Sequence, residues 1–205
     1  MPSPLFWPRC WSRRHGARGD RAASRYDSGL QKGLQKNERF LKKNAPRVFV
    51  NYRRKDSQSD AGRIFERLEV HYGRDRVFMD IDSIPLSIDF RDHINQQIGE
   101  SDIVLVLIGQ NWLRILREYQ PGVLGRLMPR IREPDWVQLE IESALSQGKV
   151  IVPILLGRFP MPSPELLPKP LRQIAFLNGQ TIDPGEDFNH HMDRLIRRLD
   201  ALSIK

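Results

Sequence analysis

From Arg47 onward, short apolar runs alternate with longer stretches in which apolar residues recur at helical spacing. Val48 to Val50, Val77 to Met79, Ile103 to Ile108 and Val150 to Leu156 read as strands, with a weaker candidate around Phe176 to Ile182. Ala61 to Tyr72, Phe90 to Ile98, Trp136 to Leu145 and Phe188 to Leu202 carry the amphipathic pattern of helices. Strands that are apolar throughout need cover on both faces, which is the setting of a parallel sheet. The βαβα alternation predicts an α/β architecture with helices on both faces of that sheet. Five strands joined by right-handed crossovers give a flavodoxin-like sandwich in the order 2-1-3-4-5. The third strand is the most apolar and belongs in the centre, beside the first.

In that arrangement the strand order reverses between strands one and three, and the crevice above such a switch point is where open α/β sheets bind ligands. The chain delivers unusual chemistry to that rim. Arg47 to Arg54 reads RVFVNYRR, an apolar strand ending in an aromatic ring and two guanidinium groups. Tyr52, Arg53 and Arg54 are predicted to wall the crevice on one side and Gly109 to Trp112 on the other. The stretch from Arg114 to Pro134, with five arginines, two further prolines and two glycines, reads as a long loop inserted before the next helix. Loops of about twenty residues in compact domains are functional or solvated.

The helix after that loop reads DWVQLEIESALSQGK, with Asp135 as its N-cap and Gly148 as its stop. Val137, Ile141, Ala144 and Leu145 form its core stripe. Glu140 falls at the edge of the stripe, one turn after Trp136 on the same side. A carboxylate there is partly desolvated and sits beside an aromatic plate; a solvated Glu and a core Trp are the plain alternative.

Asp80 and Asp82, two residues apart at the end of strand two, invite comparison with the nucleophile and acid/base of haloacid-dehalogenase phosphatases. The motif is on the wrong strand for that, and Ile84 stands where Thr or Val is usual. No GxGxxG, GxxxxGK[ST] or GxSxG occurs, which removes a Rossmann fingerprint, a P-loop and a nucleophile elbow. Cys10 is the sole cysteine, so there is no internal disulfide or thiolate metal site, and a reducing, cytoplasmic setting is expected. The five histidines show no ligand spacing, and no metal is expected.

The formal charge of +8 changes meaning once it is divided along the chain. Residues 1 to 45 hold 11 Lys/Arg against 3 Asp/Glu, and residues 46 to 205 hold 22 of each. The folded part is therefore balanced, and the basicity belongs to an N-terminal extension, expected to be disordered. That extension has no apolar run long enough for a signal sequence or membrane span. Its Arg13-Arg14 pair lacks the hydrophobic stretch of an export signal. A transit peptide, an upstream start codon, an anion-binding arm and a tail without function all stay open for it.

Taken together, VFVNYRR, RVFMDIDSI with DF at 89 and 90, DIVLVLIGQNWL, DWVQLEIESAL and KVIVPILL resemble the Toll/interleukin-1 receptor (TIR) domain over about residues 46 to 202. The resemblance is strongest to bacterial, NAD-cleaving members. It implies the fold already inferred, with NAD⁺ as substrate and no separate cofactor. It also implies that Glu140, in the WxxxE segment begun by Trp136, is the catalytic residue for breaking the nicotinamide-ribose bond. By the same resemblance Tyr52, Arg53 and Arg54, with Asp80, Trp112 and Trp136, border the substrate. The segment containing Asp82, Ser83, Ile84, Pro85, Asp89 and Phe90 corresponds to the family's assembly loop, which completes active sites between subunits. Two departures stand out: Asn51 occupies a position that is often Ser, and Leu86-Ser87 replaces a common Pro-Gly. Without that glycine the loop loses easy access to a left-handed turn.

Three functions follow as expectations. The first is an NAD⁺ glycohydrolase activated by self-association, releasing nicotinamide with ADP-ribose or a cyclic isomer. The second is a noncatalytic module that pairs with itself or with other TIR proteins. The third is nucleic-acid binding, confined to the basic extension.

Overall fold

The computed structural model describes residues 45–79, 90–119, 134–157 and 159–203. The chain from Asn44 to Lys205 forms one compact unit. Its centre is a five-stranded sheet with every pairing parallel, in the order β2-β1-β3-β4-β5. The strands are β1 (Val48–Asn51), β2 (Val77–Met79), β3 (Ile103–Ile108), β4 (Val150–Leu156) and β5 (Gln180–Ile182). The helices are α1 (Arg54–Tyr72), α2 (Phe90–Glu100), α3 (Trp112–Tyr119), α4 (Trp136–Ser146) and α5 (Phe188–Ser203). No helix among the described residues is long and apolar enough to cross a membrane.

Two apolar layers arise directly from strand alternation, since successive side chains point to opposite faces. Val48, Val50, Ile103, Leu105 and Leu107 pack with Ile64 and Leu68 of α1 and Met192, Leu195 and Leu199 of α5. Phe49, Val104, Val106 and Ile108 pack with Ile94 and Ile98 of α2, Trp112 and Leu116 of α3, and Ile141 and Ala144 of α4. All six residues of β3 are buried, as its apolar sequence requires of a central strand.

Three boundaries differ from the sequence reading. Helix α1 begins at Arg54, seven residues before the apolar pattern does, and Ser57 interrupts its first turns with non-helical angles. Trp112–Tyr119 is helical where Arg114 onward was expected to be loop, because Trp112, Ile115 and Leu116 bury on one face. The rest of that expected loop, residues 120–133, lies outside the described residues, as do the N-terminal extension through residue 44 and residues 80–89. The weak strand at Phe176 to Ile182 shortens to Gln180–Ile182, and Lys169–Phe176 forms a 3₁₀ segment that leaves Phe176 exposed.

Helix α4 ends as its glycine predicts. Gly148 has φ of 65°, its N–H donates to Leu145 O at 3.2 Å, and Lys149 N–H donates to Ala144 O at 3.0 Å. This is the Schellman arrangement, which needs a left-handed residue after the helix.

Candidate functional site

The carboxyl end of β1 delivers Asn51, Tyr52 and Arg53 to the space between the N-termini of α1 and α4. A cavity of about 370 Å³ opens there, lined by Val50, Tyr52, Arg53, Arg54, Lys55, Ile115, Tyr119, Asp135, Trp136, Val137 and Glu140. Its volume lies at the small end of ligand pockets.

Glu140 is one of two acids with buried side chains in this wall. It is 7% exposed, and its Oε2 accepts a hydrogen bond from Asn51 Nδ2 at 2.6 Å. The same amide group donates to Val137 O at 3.2 Å, so Asn51 grips α4 at two points. A short contact from a fully buried amide fixes the carboxylate against the end of β1 and limits its access to water. Trp136, partly buried, stands one helical turn before Glu140 on the cavity side.

Arg53 takes a different part from the one its charge suggests. Its Nη1 and Nη2 donate to Asp135 Oδ1 at 3.0 Å and Oδ2 at 2.7 Å, with side-chain exposures of 3% and 6%. The guanidinium also lies over the Trp112 ring, 5.3 Å from its centroid. Asp135 caps α4 as predicted, its Oδ1 accepting from Gln138 N–H at 3.2 Å. Both terminal nitrogens are thus engaged by one buried carboxylate, in the bidentate geometry that adds strength and direction to an ion pair. The cations that reach the cavity's solvent side are Arg54 and Lys55, both exposed.

The opposite wall also departs from expectation. Gly109 to Trp112 do not line the cavity; Ile115 and Tyr119 of α3 do. Asp56 fills the switch point instead, its Oδ2 accepting from Gly109 N–H at 3.0 Å and its Oδ1 from Asn111 N–H at 2.6 Å. Burial pushes the Asp56 carboxyl above its ordinary 3.8, aided by Asp60 and opposed by those two N–H groups and by Arg53. Trp112, expected to touch substrate, is fully buried in the core and instead supports Arg53 from below.

The structure thus brings together Tyr52, Arg53, Arg54, Trp136 and Glu140 around one cavity and leaves Trp112 beneath it. Asp80, Asp82, Ser83, Ile84, Pro85 and Asp89 lie outside the described residues, and Phe90 opens α2. Among the described residues no group of three or more His, Cys, Asp or Glu is arranged to hold a metal. Sequence reasoning missed Asn51 as the partner of Glu140 and Asp135 as the partner of Arg53, contacts that span 89 and 82 residues. It also missed Lys55, Ile115 and Tyr119. One signal was available for Asn51: a polar residue ending an otherwise apolar, buried strand must find a partner.

Comparison with known proteins agrees with this fold. Residues 48–196 match the family model described as TIR domain. Among curated proteins, the chain is 30% identical over 134 residues to the NAD(+) hydrolase sarm1 of Drosophila melanogaster. That match covers 64% of this chain and 9% of the relative, so the chain spans under a tenth of that protein's length. Among solved structures, the TIR domains of the activated Roq1 resistosome, which directly recognizes the pathogen effector XopQ, superpose with a TM-score of 0.51 at 15% identity. That likeness covers 76% of this chain and 97% of the other, and concerns the fold.

Proposed function

Since the chain belongs to the TIR domain family, we propose that it is an NAD⁺ glycohydrolase in which Glu140 promotes cleavage of the bond between nicotinamide and ribose. The observation that carries this reading is a buried carboxylate fixed by Asn51 in the wall of a cavity with aromatic and cationic neighbours. The similarity to an NAD(+) hydrolase supports it.

The reaction asks little of the protein beyond such a group. The C1′–N bond of NAD⁺ breaks with its electron pair going to nicotinamide, which leaves as a neutral molecule and needs no proton. The ribose is left with oxocarbenium character, and a carboxylate close to it stabilises that charge or holds the ribose hydroxyls. Water then adds to C1′ and sheds a proton to solvent, giving ADP-ribose; capture by an adenine nitrogen of the same molecule gives a cyclic isomer instead. Trp136 and Tyr52 offer faces for the planar nicotinamide, and Arg54 with Lys55 faces the pyrophosphate at the rim. NAD⁺ is here the substrate, and no resident cofactor takes part.

The cavity suits the nicotinamide-ribose half of the dinucleotide, leaving the adenosine half to be held outside it. A second protomer, brought up by self-association through the segment from Asp82 to Phe90, supplies that surface and makes activity depend on assembly. The test is nicotinamide release from NAD⁺, followed by chromatography across a range of protein concentrations. Turnover per protomer should rise with concentration and vanish in Glu140→Ala. No release at any concentration, or full activity in Glu140→Ala, would sink the proposal. TIR-TIR association without any release would leave the noncatalytic module.

A further inference from the structure

The geometry points to the Arg53–Asp135 pair as a positioning device for Glu140 and Trp136, and not as part of the surface that binds the anionic substrate. Arg53 is the residue before α1, and Asp135 is the residue before α4. Their contact therefore ties the two helix N-termini that flank the cavity. Both carboxylate oxygens are in use: Oδ1 takes Arg53 Nη1 and the Gln138 N–H, and Oδ2 takes Arg53 Nη2. Trp136 follows Asp135 directly, and Glu140 lies in the next turn of the same rigid helix.

Asn51 and Arg53, alternate residues of the chain, thus hold α4 at its cap, Asp135, and at Val137 and Glu140 within it. Two separate anchors from one strand end define both the axial position and the rotation of a helix, where one anchor would leave it free to turn. The fully buried Trp112 ring lies against the guanidinium, 5.3 Å from Arg53 Cζ to the ring centroid, and packs one of its faces. A buried ion pair adds little net stability compared with an apolar replacement, so its value here is geometric. Displacing a reacting group by about 1 Å costs about a hundredfold in rate.

The inference rests on the glycohydrolase reading for its kinetic arm, and a second arm tests it without turnover. Arg53→Lys keeps the charge and loses the planar fork; Asp135→Asn keeps the helix cap and loses the pair. In both, kcat for nicotinamide release should fall by about tenfold or more while KM stays within about twofold. If Arg53 instead binds substrate phosphate, Asp135→Asn would release it and lower KM, and Arg53→Lys would raise KM with kcat kept. Either result overturns the inference. The double variant Arg53→Met/Asp135→Asn removes the buried charge and guards against misfolding of the single variants. It should show the same kcat loss, and wild-type kcat in that folded protein also overturns the inference.

For the second arm, 5-fluorotryptophan is incorporated and the Trp136 ¹⁹F resonance is assigned with Trp136→Phe. That resonance should broaden or split in Asp135→Asn and Arg53→Lys. An unchanged Trp136 line in both overturns the positioning role. Absence of turnover in the wild type would refute the glycohydrolase reading alone, and the ¹⁹F arm would still decide this one.

Discussion

Two Arg–Asp bridges begin on the same stretch of chain and end on different helices. Arg67 of α1 meets Asp193 of α5 at 2.6 Å, and Arg53 at the head of α1 meets Asp135 at the head of α4 at 2.7 Å. The distances are nearly equal and the surroundings are not: Arg67 and Asp193 are 36% and 50% exposed, whereas Arg53 and Asp135 are 3% and 6% exposed. Water solvates the first pair whether or not it forms, so the bridge adds little. The second pair has lost that solvation and depends on its geometry to recover it. Contact length alone therefore says nothing about which bridge matters. The buried one stands beside the cavity, and the exposed one holds two helices already fastened by Ile64, Leu68, Leu195 and Leu199.

The widest gap between the two bridges should appear on breaking each of them. Arg53→Ala or Asp135→Ala strands a buried charge and should cost about 3–5 kcal/mol of unfolding free energy in urea titrations. Gly109→Ala comes next. A Cβ there would lie 2.6 Å from Asp56 Oδ2 and 2.9 Å from its Cγ, and that short side chain is tied by two backbone N–H groups and cannot step aside. A loss of about 1–3 kcal/mol by the same titration is expected. At the small end, Arg67→Ala or Asp193→Ala should cost less than about 1 kcal/mol. An equal loss at the two bridges would erase the distinction drawn from burial.

Acidity offers a finer test at the head of α1. The Asp56 carboxyl is raised above 3.8 in the folded chain, chiefly by burial. Just above that pH the folded chain holds more protons at this site than the unfolded chain. The stability linked to Asp56 is therefore fully present below the unfolded value and declines as pH rises through the folded one. Urea midpoints of the wild type should lose ground to Asp56→Asn across that acid window. A wild type that gains ground there would mean that the two N–H donors outweigh burial.

Much of the fold was legible because apolar periodicity is a local signal. The all-apolar β3 and β4 and the apolar faces of α4 and α5 announced themselves, and strand order followed from the alternation of strands and helices. Where the pattern failed, the cause is specific. The first turns of α1 read RKDSQSD, a polar run whose helix forms because Arg53 and Asp56 bond elsewhere in the molecule. Trp112, Ile115, Leu116 and Tyr119 do carry helical spacing, and the arginines among them and Pro121 and Gly122 beyond masked it. Within the site, the motif and helical spacing singled out Trp136 and Glu140 as a pair. Their supports were hidden, since no local pattern links Asn51 to Glu140 or Arg53 to Asp135 across more than eighty residues. For the same reason the sequence placed Arg53 at the border of the substrate without showing that its charge is spent on Asp135.

The central claim is that the charge of one buried carboxylate breaks the nicotinamide-ribose bond, and Glu140→Gln isolates that charge. The amide keeps the size of the side chain and an oxygen to accept the Asn51 hydrogen bond, so the cavity and the fold should be preserved. Nicotinamide release from NAD⁺, measured side by side at equal protein concentration, should fall by about a hundredfold or more in the variant. Release by Glu140→Gln at the wild-type rate would contradict the account.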